Sequence, residues 1–368
     1  MTTRPIITKE KAASCYFRTT VDHPHRKALI QIDERCNEKC AHCFVSATKR
    51  GESMPLDGIR TRLLPQLVKA RVTRVTLTGG EPFVHPDLIE IAALFREAGM
   101  GVGICTNATI VTGQQIKDLV EIGDVHMNVS LDGFSAHSHG RFRGRPEGFE
   151  ETVETVKRFA AAGILQGLLC TPNNLAEDTE YAELCRFAVD QGAKYVLMNP
   201  LGSMGRGENS MRKLRSPDTH MRHIRELTMP FADDLDLVHI RFPNDDKPLS
   251  GCEAGTIIYV FTKGEVAVCP YLVFAARTRV SQHPDTDFIV GNVWEHDDIA
   301  ARLDAYRFHE RFTVGANPTC GSCGLAADCG KGCPAAVVAN GERIGTVDTE
   351  QCPIVPKKTR VLPVVGVS

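Results

Sequence analysis

Two patterns predict an α/β fold built on a parallel sheet, and a third predicts a small metal-bound appendage. From about residue 28 to 228, short β-branched runs alternate with segments of helical length and period. Such alternation indicates βαβ units. Six strand–helix pairs can be traced, two fewer than the eight that close a TIM barrel. The expected shape is therefore a curved, partly open (β/α)6 TIM-like barrel. From Cys252 the long helical periods stop and cysteine and glycine become dense. A small thiolate-rich module with little core needs metal to hold it together.

The composition is that of an ordinary globular protein. The chain has 368 residues, 42% hydrophobic and 24% charged, with a formal net charge of −2. That charge gives no electrostatic case for binding nucleic acid or an acidic membrane. No apolar run is long enough to cross a bilayer, and the N-terminus lacks the apolar core of a signal peptide. The expected location is the cytoplasm. Fourteen cysteines there point to metal or redox chemistry rather than a disulfide framework.

The elements follow in order. Residues 1–27 show no periodicity and read as an N-terminal extension. Strands are expected at 28–32, 74–78, 102–106, 125–131, 164–171 and 194–198. Helices are expected near 55–70, 86–99, 112–122, 147–162, 176–191 and 216–228. Pro65 falls inside the first of these and predicts a kink or break. The glycine-rich stretch 199–207 does not match a P-loop and reads as a flexible loop at the barrel mouth. Residues 229–250, with Pro230, Pro243 and Pro248, read as a bridge between domains. The barrel thus occupies 28–228, the cysteine-rich domain 251–355, and a tail 356–368.

The densest chemistry lies just after the first strand. Cys36, Cys40 and Cys43 stand in a C-x3-C-x2-C spacing, followed by Phe44. A short loop turns three thiolates toward one point. A structural zinc site closes with four protein ligands, whereas a reactive centre keeps a position open. Thiolates are also the normal ligands of iron–sulfur clusters, and three on a four-iron cluster leave one iron free. A partial zinc knuckle is the competing reading of this stretch alone. Further polar motifs fall at strand ends, where parallel α/β folds bind their ligands. They are Gly79-Gly80-Glu81-Pro82, Asn107, Ser130-Leu131-Asp132-Gly133 and Arg143-Gly144. His42, His137 and His139 read as solvated side chains or neighbours of the ligands. Cys105 and Cys170 read as small buried hydrophobes.

This set of motifs resembles the radical S-adenosylmethionine (radical SAM) enzymes, whose signature is C-x3-C-x2-C followed by an aromatic residue. The resemblance implies a [4Fe–4S] cluster on Cys36, Cys40 and Cys43, whose free iron binds the amino and carboxylate groups of S-adenosylmethionine (SAM). Reductive cleavage of SAM then yields a 5′-deoxyadenosyl radical. It implies SAM contacts from Phe44, from Gly79, Gly80, Glu81 and Pro82 (the ammonium on Glu81), and from Asn107, Ser130 and Asp132. Arg143 would meet the methionine carboxylate. It also implies a reducing partner of flavodoxin or ferredoxin type.

The C-terminal cysteines resemble the SPASM domain that many such enzymes carry. By that resemblance two auxiliary [4Fe–4S] clusters are expected. Cys320, Cys323, Cys329 and Cys352 would close one. Cys252, Cys269 and Cys333 would hold the other, its fourth ligand undetermined: an open site, an oxygen ligand, or a cysteine from elsewhere. A zinc ribbon is the alternative. Enzymes of this kind mostly act on peptides, so the first expectation is maturation of a ribosomally made peptide by crosslinking, epimerisation or oxidation. The alternatives are oxidation or epimerisation of a small hydroxylated metabolite, such as an aminocyclitol or sugar in an antibiotic pathway, and a non-catalytic metal scaffold. Only 35 residues precede Cys36. They leave no room for a leader-peptide-recognition domain, which a peptide substrate would then find on a separate chain.

Overall fold

The computed structural model describes residues 10–16 and 21–355. The expected tail 356–368 and much of the extension 1–27 lie outside the described residues. Ten strands form one sheet. They are β1 (Arg26–Asp33), β2 (Val72–Gly79), β3 (Gly101–Thr106), β4 (Val125–Ser130), β5 (Leu165–Cys170), β6 (Tyr195–Met198), β7 (Asp236–His239), β8 (Ile257–Val260), β9 (Glu265–Ala267) and β10 (Ile289–Asn292). The order across the sheet is β10-β9-β8-β1-β2-β3-β4-β5-β6-β7. Every neighbouring pair from β8 through β1 to β7 is parallel, whereas β8-β9-β10 is antiparallel. The sheet is open, as six strand–helix units short of closure require.

The six expected strands and helices are present, with ends shifted by a few residues. The first helical segment, 56–69, contains a π-helical turn at Ile59–Leu63 directly before Leu64–Lys69. Pro65 has no N–H to donate and its ring crowds the preceding turn, so the helix widens there. The helix Gly113–Ile122 opens with a capping box between Thr112 and Gln115. Three features differ from the sequence reading. The bridge 229–250 contains β7, which pairs with β6. Its four residues are too short to show a pattern between prolines. Residues from 251 onward are not a separate layer, because β8 hydrogen-bonds to the free side of β1. Finally, a helix runs Gly207–Leu214. Only Met211 and Leu214 are apolar in it, so no period betrays it.

The two faces of the sheet differ in chemistry. Ala28, Ile30, Ile32, Leu77, Val102, Ile104, Met127, Val129 and Leu168 are fully buried under the helices. Alternation puts the other set on the concave face. There the pairings Thr76↔Gly103, Cys105↔Asn128 and Asn128↔Gly167↔Tyr195 form polar rows. The Tyr195 hydroxyl donates to Asn128 Oδ1 across this face. Glycine at 167 leaves the space that the Tyr195 ring fills: a Cβ there would lie 2.7 Å from it.

Candidate functional site

The three cysteines hang from the carboxyl end of β1. Asp33, the last residue of that strand, folds its carboxylate back to accept from the Arg35 backbone and guanidinium and from the Ser53 hydroxyl. This starts the loop in a fixed direction. Gly79 and Gly80 then press the end of β2 against it. A Cβ on Gly79 would fall 2.2 Å from the Asp33 carbonyl oxygen, and one on Gly80 would fall 2.1 Å from that of Arg35. Gly80 and Glu81 donate their N–H groups to the same two carbonyls, at 2.8 and 2.9 Å. These glycines admit a neighbouring backbone, and that backbone carries the cysteines.

The far side of the loop is braced from 199–207. Gly205 has φ +54°, and a Cβ there would lie 2.3 Å from the Phe44 carbonyl oxygen. Arg206 donates from Nε to Cys40 O at 2.7 Å and from Nη1 to Ala47 O at 2.6 Å. The stretch read as a flexible mouth loop is a packed buttress. Phe44 itself meets Tyr271 edge-on at 4.9 Å and stacks with Phe274 at 6.2 Å.

Inside the loop lies an ionic network. Arg143 donates from Nε to Asp132 Oδ2 (2.8 Å) and from Nη1 to Glu38 Oε2 (3.1 Å), and Nη1 also stands 3.8 Å from Cys40 Sγ. All three charged side chains are buried. Burial pushes the Asp132 carboxyl up, but the Arg143 guanidinium holds it below the usual aspartate value. Burial prevails for Glu38, whose carboxyl is raised despite Arg143. Glu38 Oε1 has no partner among the described residues. Arg143 Nη2 likewise has no protein acceptor there, so one guanidinium nitrogen is left over.

Of the three histidines read as solvated or as neighbours of the ligands, His137 is exposed, whereas His42 and His139 pack around Asp132 beside the cysteine loop. His42 stacks on Phe142 at 4.6 Å, and burial lowers its pKa to about 4. His139 accepts from the Asp132 N–H at Nδ1, and burial lowers it to about 3. Both rings are therefore neutral at pH 7. Cys170 is a buried core residue, as expected. Cys105 is only half-buried and sits on the concave face.

Glu81 is 1% exposed. Its carboxylate accepts from Phe83 N, Thr106 Oγ1 and Asn107 N. Burial still pushes it up to about 7. Expected as a ligand acceptor, it here ties the ends of β2 and β3 together, and Pro82 begins the 3-10 turn that it caps. Asn107 bridges Asn37 and Thr109. Asp132 faces Arg143 and the Thr171 N–H rather than open space. Ser130 is half-buried and its hydroxyl has no partner among the described residues. Asn199, at the end of β6, has a buried Oδ1 without a partner. Glu38, Arg206 and Asn199 carry no motif that sequence reading could have used.

The donor set suits an iron–sulfur cluster. Cys36 Sγ receives an N–H from Glu38 at 3.4 Å, and Cys40 has a guanidinium beside it. Burial holds the metal-free thiols high, Cys36 to about 12. A metal would displace those protons. In the C-terminal third, Cys320, Cys323, Cys329 and Cys352 line one cavity. Asn317 Nδ2 donates to Cys320 Sγ, Leu325 N to Cys323 Sγ, and Leu249 N and Lys331 N both to Cys329 Sγ, at 3.3–3.4 Å. Such donors stabilise thiolate ligands. Cys252, Cys269 and Cys333 lie within electrostatic reach of one another. Among the described residues, no three His, Cys, Asp or Glu side chains converge tightly enough to grip a single metal ion.

Residues 30–185 match the model of the radical SAM superfamily. The chain is 27% identical over 320 residues to the antilisterial bacteriocin subtilosin biosynthesis protein AlbA of Bacillus subtilis, covering 81% of this chain and 66% of that protein. It is 26% identical over 301 residues to the AdoMet-dependent heme synthase of Methanosarcina barkeri (74% and 83%). It is 26% identical over 331 residues to the mycofactocin maturase MftC of Mycobacterium tuberculosis (87% and 81%). Among solved structures, Streptococcus suis SuiB bound to the precursor peptide SuiA superposes with a TM-score of 0.68 at 18% identity, over 87% of this chain and 75% of that one. That likeness is one of fold.

Proposed function

We propose that the chain, whose residues 30–185 match the radical SAM superfamily, is a radical SAM enzyme that uses SAM and a [4Fe–4S] cluster to mature a ribosomally synthesised peptide. One observation supports the substrate class. The likeness to AlbA and MftC covers 81% and 87% of the chain, so it extends well beyond residues 30–185 into the cysteine-rich region. The polar, open concave face suits an extended, many-functional substrate better than a buried apolar one.

In this reading Cys36, Cys40 and Cys43 hold the first cluster. When bound, the cluster and SAM supply a carbon radical that removes a hydrogen atom from an unactivated C–H bond. The chain's own residues position and shield. Arg143, anchored by Asp132 and Glu38, offers its unpaired Nη2 to a carboxylate. The Ser130 hydroxyl and Asn199 Oδ1 are the uncommitted polar groups for the hydroxyl-bearing and amino parts of SAM. Gly79, Gly80, Glu81, Pro82 and Asn107 set the loop's height above the sheet, and Asp132 orients Arg143. Phe44, wedged on Tyr271, keeps water from the cysteine loop. Cys320, Cys323, Cys329 and Cys352 hold one auxiliary cluster. Cys252, Cys269 and Cys333 serve the other. The reductant is a small electron carrier of flavodoxin or ferredoxin type.

The test is anaerobic reconstitution followed by incubation with SAM, dithionite and peptides encoded by short reading frames beside the gene. Peptide maturation requires 5′-deoxyadenosine together with a peptide that has lost hydrogen or exchanged it with solvent. The Cys36/Cys40/Cys43→Ala variant is expected to lose about four irons and all deoxyadenosine. Deoxyadenosine from that variant would refute the site. The likeness to the heme synthase favours a second reading, an iron porphyrin as substrate. Turnover coupled to an iron porphyrin, with every peptide unchanged, would replace the first reading with it.

A further inference from the structure

The auxiliary site of Cys252, Cys269 and Cys333 lacks a fourth ligand in its own part of the sequence: 253–259 has no cysteine. The structure brings one from the other end of the chain. Residues 12–15 run beside 248–251. Ala12 N donates to Pro248 O at 2.9 Å, and Ser250 N donates to Ala12 O at 3.0 Å. Ser14 N donates to Ser250 Oγ at 3.0 Å, and Ser14 Oγ to Ser250 O at 3.1 Å. This register delivers the Cys15 thiol to two carbonyl oxygens, Gly251 O at 3.1 Å and Gly332 O at 3.7 Å. Those residues immediately precede Cys252 and Cys333, and Gly251 is itself bridged to Lys331. The Cys15 thiol lies within electrostatic reach of both Cys333 and Cys252.

Two further contacts fix this arrangement. Arg241 takes φ +51° and donates its N–H to Ala13 O at 2.6 Å and its Nη1 to Ser14 O at 2.9 Å. Its guanidinium grips the Asp348 carboxylate through two nitrogens, and Asp348 Oδ2 also accepts the Cys333 N–H at 3.2 Å. One buried ion pair therefore holds the Cys15 segment and Cys333 together. On the other flank the Tyr16 ring stacks on Tyr271 at 4.6 Å, two residues after Cys269. The neighbourhoods of all three expected ligands thus meet at Cys15.

We propose that Cys15 is the fourth ligand of the auxiliary [4Fe–4S] cluster held by Cys252, Cys269 and Cys333, which closes that cluster with four thiolates. The proposal rests on the reading that these three cysteines hold a four-iron cluster. On binding, the Cys15 thiol gives up its proton and exchanges its carbonyl partners for iron. A cluster with four cysteine ligands leaves no iron open, so the substrate does not ligate it. The N-terminal segment becomes a clasp that the metal locks onto the C-terminal third.

The experiment uses the full-length chain carrying Cys36/Cys40/Cys43→Ala, which removes the one site expected to be open. It is reconstituted anaerobically, assayed for iron, then mildly oxidised and examined by EPR for the [3Fe–4S] signal that an iron lacking a protein ligand gives when it is lost. About eight irons and no such signal are expected. Adding Cys15→Ala is expected to produce the signal. A signal already present before Cys15 is changed, or none after, overturns the proposal. Cys252→Ala in the same background should cost about four irons; if it costs none, the cluster reading fails instead. Alkylation mass spectrometry supplies a test without altering Cys15. Cys15 should be protected in the loaded protein and labelled after chelation, with Cys105 labelled equally in both states. Equal labelling of Cys15 in both states refutes its ligation.

Discussion

Replacing Arg143 with alanine tests the ionic network most directly. The arginine is 7% exposed and its two partners, Asp132 and Glu38, are 1% and 0% exposed. Its removal leaves two carboxylates in a site where burial already disfavours charge. Breaking a buried pair in this way costs about 3–5 kcal/mol. The pH dependence gives the signature. In the wild type Asp132 is held below its unfolded value, so its stabilising contribution is present above the unfolded pKa and is lost as pH falls through the folded one. Without Arg143 the dominant influence left is burial, which pushes both carboxyls above their unfolded values. The folded variant then holds protons that the unfolded chain releases. Its deficit therefore grows as pH rises from about 4 toward 8, and shrinks below about 4, where both carboxyls are protonated in either state. Urea unfolding of wild type, Arg143→Ala, Asp132→Asn and the double variant at pH 5 and pH 8 measures this. The two substitutions should be non-additive by more than about 0.5 kcal/mol. A pH-independent deficit, or one under about 0.5 kcal/mol at pH 8, would refute the network.

Two other perturbations separate the supports of the cysteine loop. Gly205→Ala puts a methyl group 2.3 Å from the Phe44 carbonyl oxygen and 2.5 Å from that of Cys43, at a φ of +54°. Iron analysis should show loss of about four irons from the N-terminal site with the auxiliary iron retained; full loading would show that the buttress is dispensable. Glu81 is raised by burial to about 7, so between the unfolded carboxyl value and about 7 the folded chain binds the extra proton, and its contribution makes stability fall as pH rises. Glu81→Gln should abolish that slope while costing about 1–3 kcal/mol, because the amide group turns a donor toward one of the backbone N–H groups the carboxylate served. A slope that survives the substitution would assign it to another group.

What the sequence made legible follows from where chemistry is local. Strands β1 to β6 were readable because each is a run of apolar or β-branched residues between turn signals. β7 was not: Asp236–His239 has one fully buried residue, and only pairing with β6 makes it a strand. The three cysteines of the first site were readable from spacing alone. Glu38 was not, because a glutamate between two cysteines looks like any loop residue until Arg143 is folded against it. Cys15 was equally silent. Its meaning lies in a register with residues 248–251, and no local pattern encodes a pairing between residues 236 positions apart. The glycines were readable as special positions, but the backbone they press against was not. They admit the backbone of Asp33 and Arg35, which carries the cysteine loop.

The pairing of β8 with β1 carries one more consequence. β1 bears the first cysteine loop, and without β8 its outer edge would present unpaired N–H and C=O groups. The cysteine-rich third supplies that missing neighbour. The Thr262 hydroxyl then adds a bond to Gln31 O at 2.7 Å, two residues before the strand ends. From the same third, Tyr271 touches both Phe44, beside Cys43, and Tyr16, beside Cys15. The two cysteine regions therefore share a strand edge and an aromatic contact, neither of which can shift without disturbing the other. A boundary drawn at residue 251 divides the chain by composition, but mechanically the cysteine loop and the auxiliary cysteines belong to one packed body.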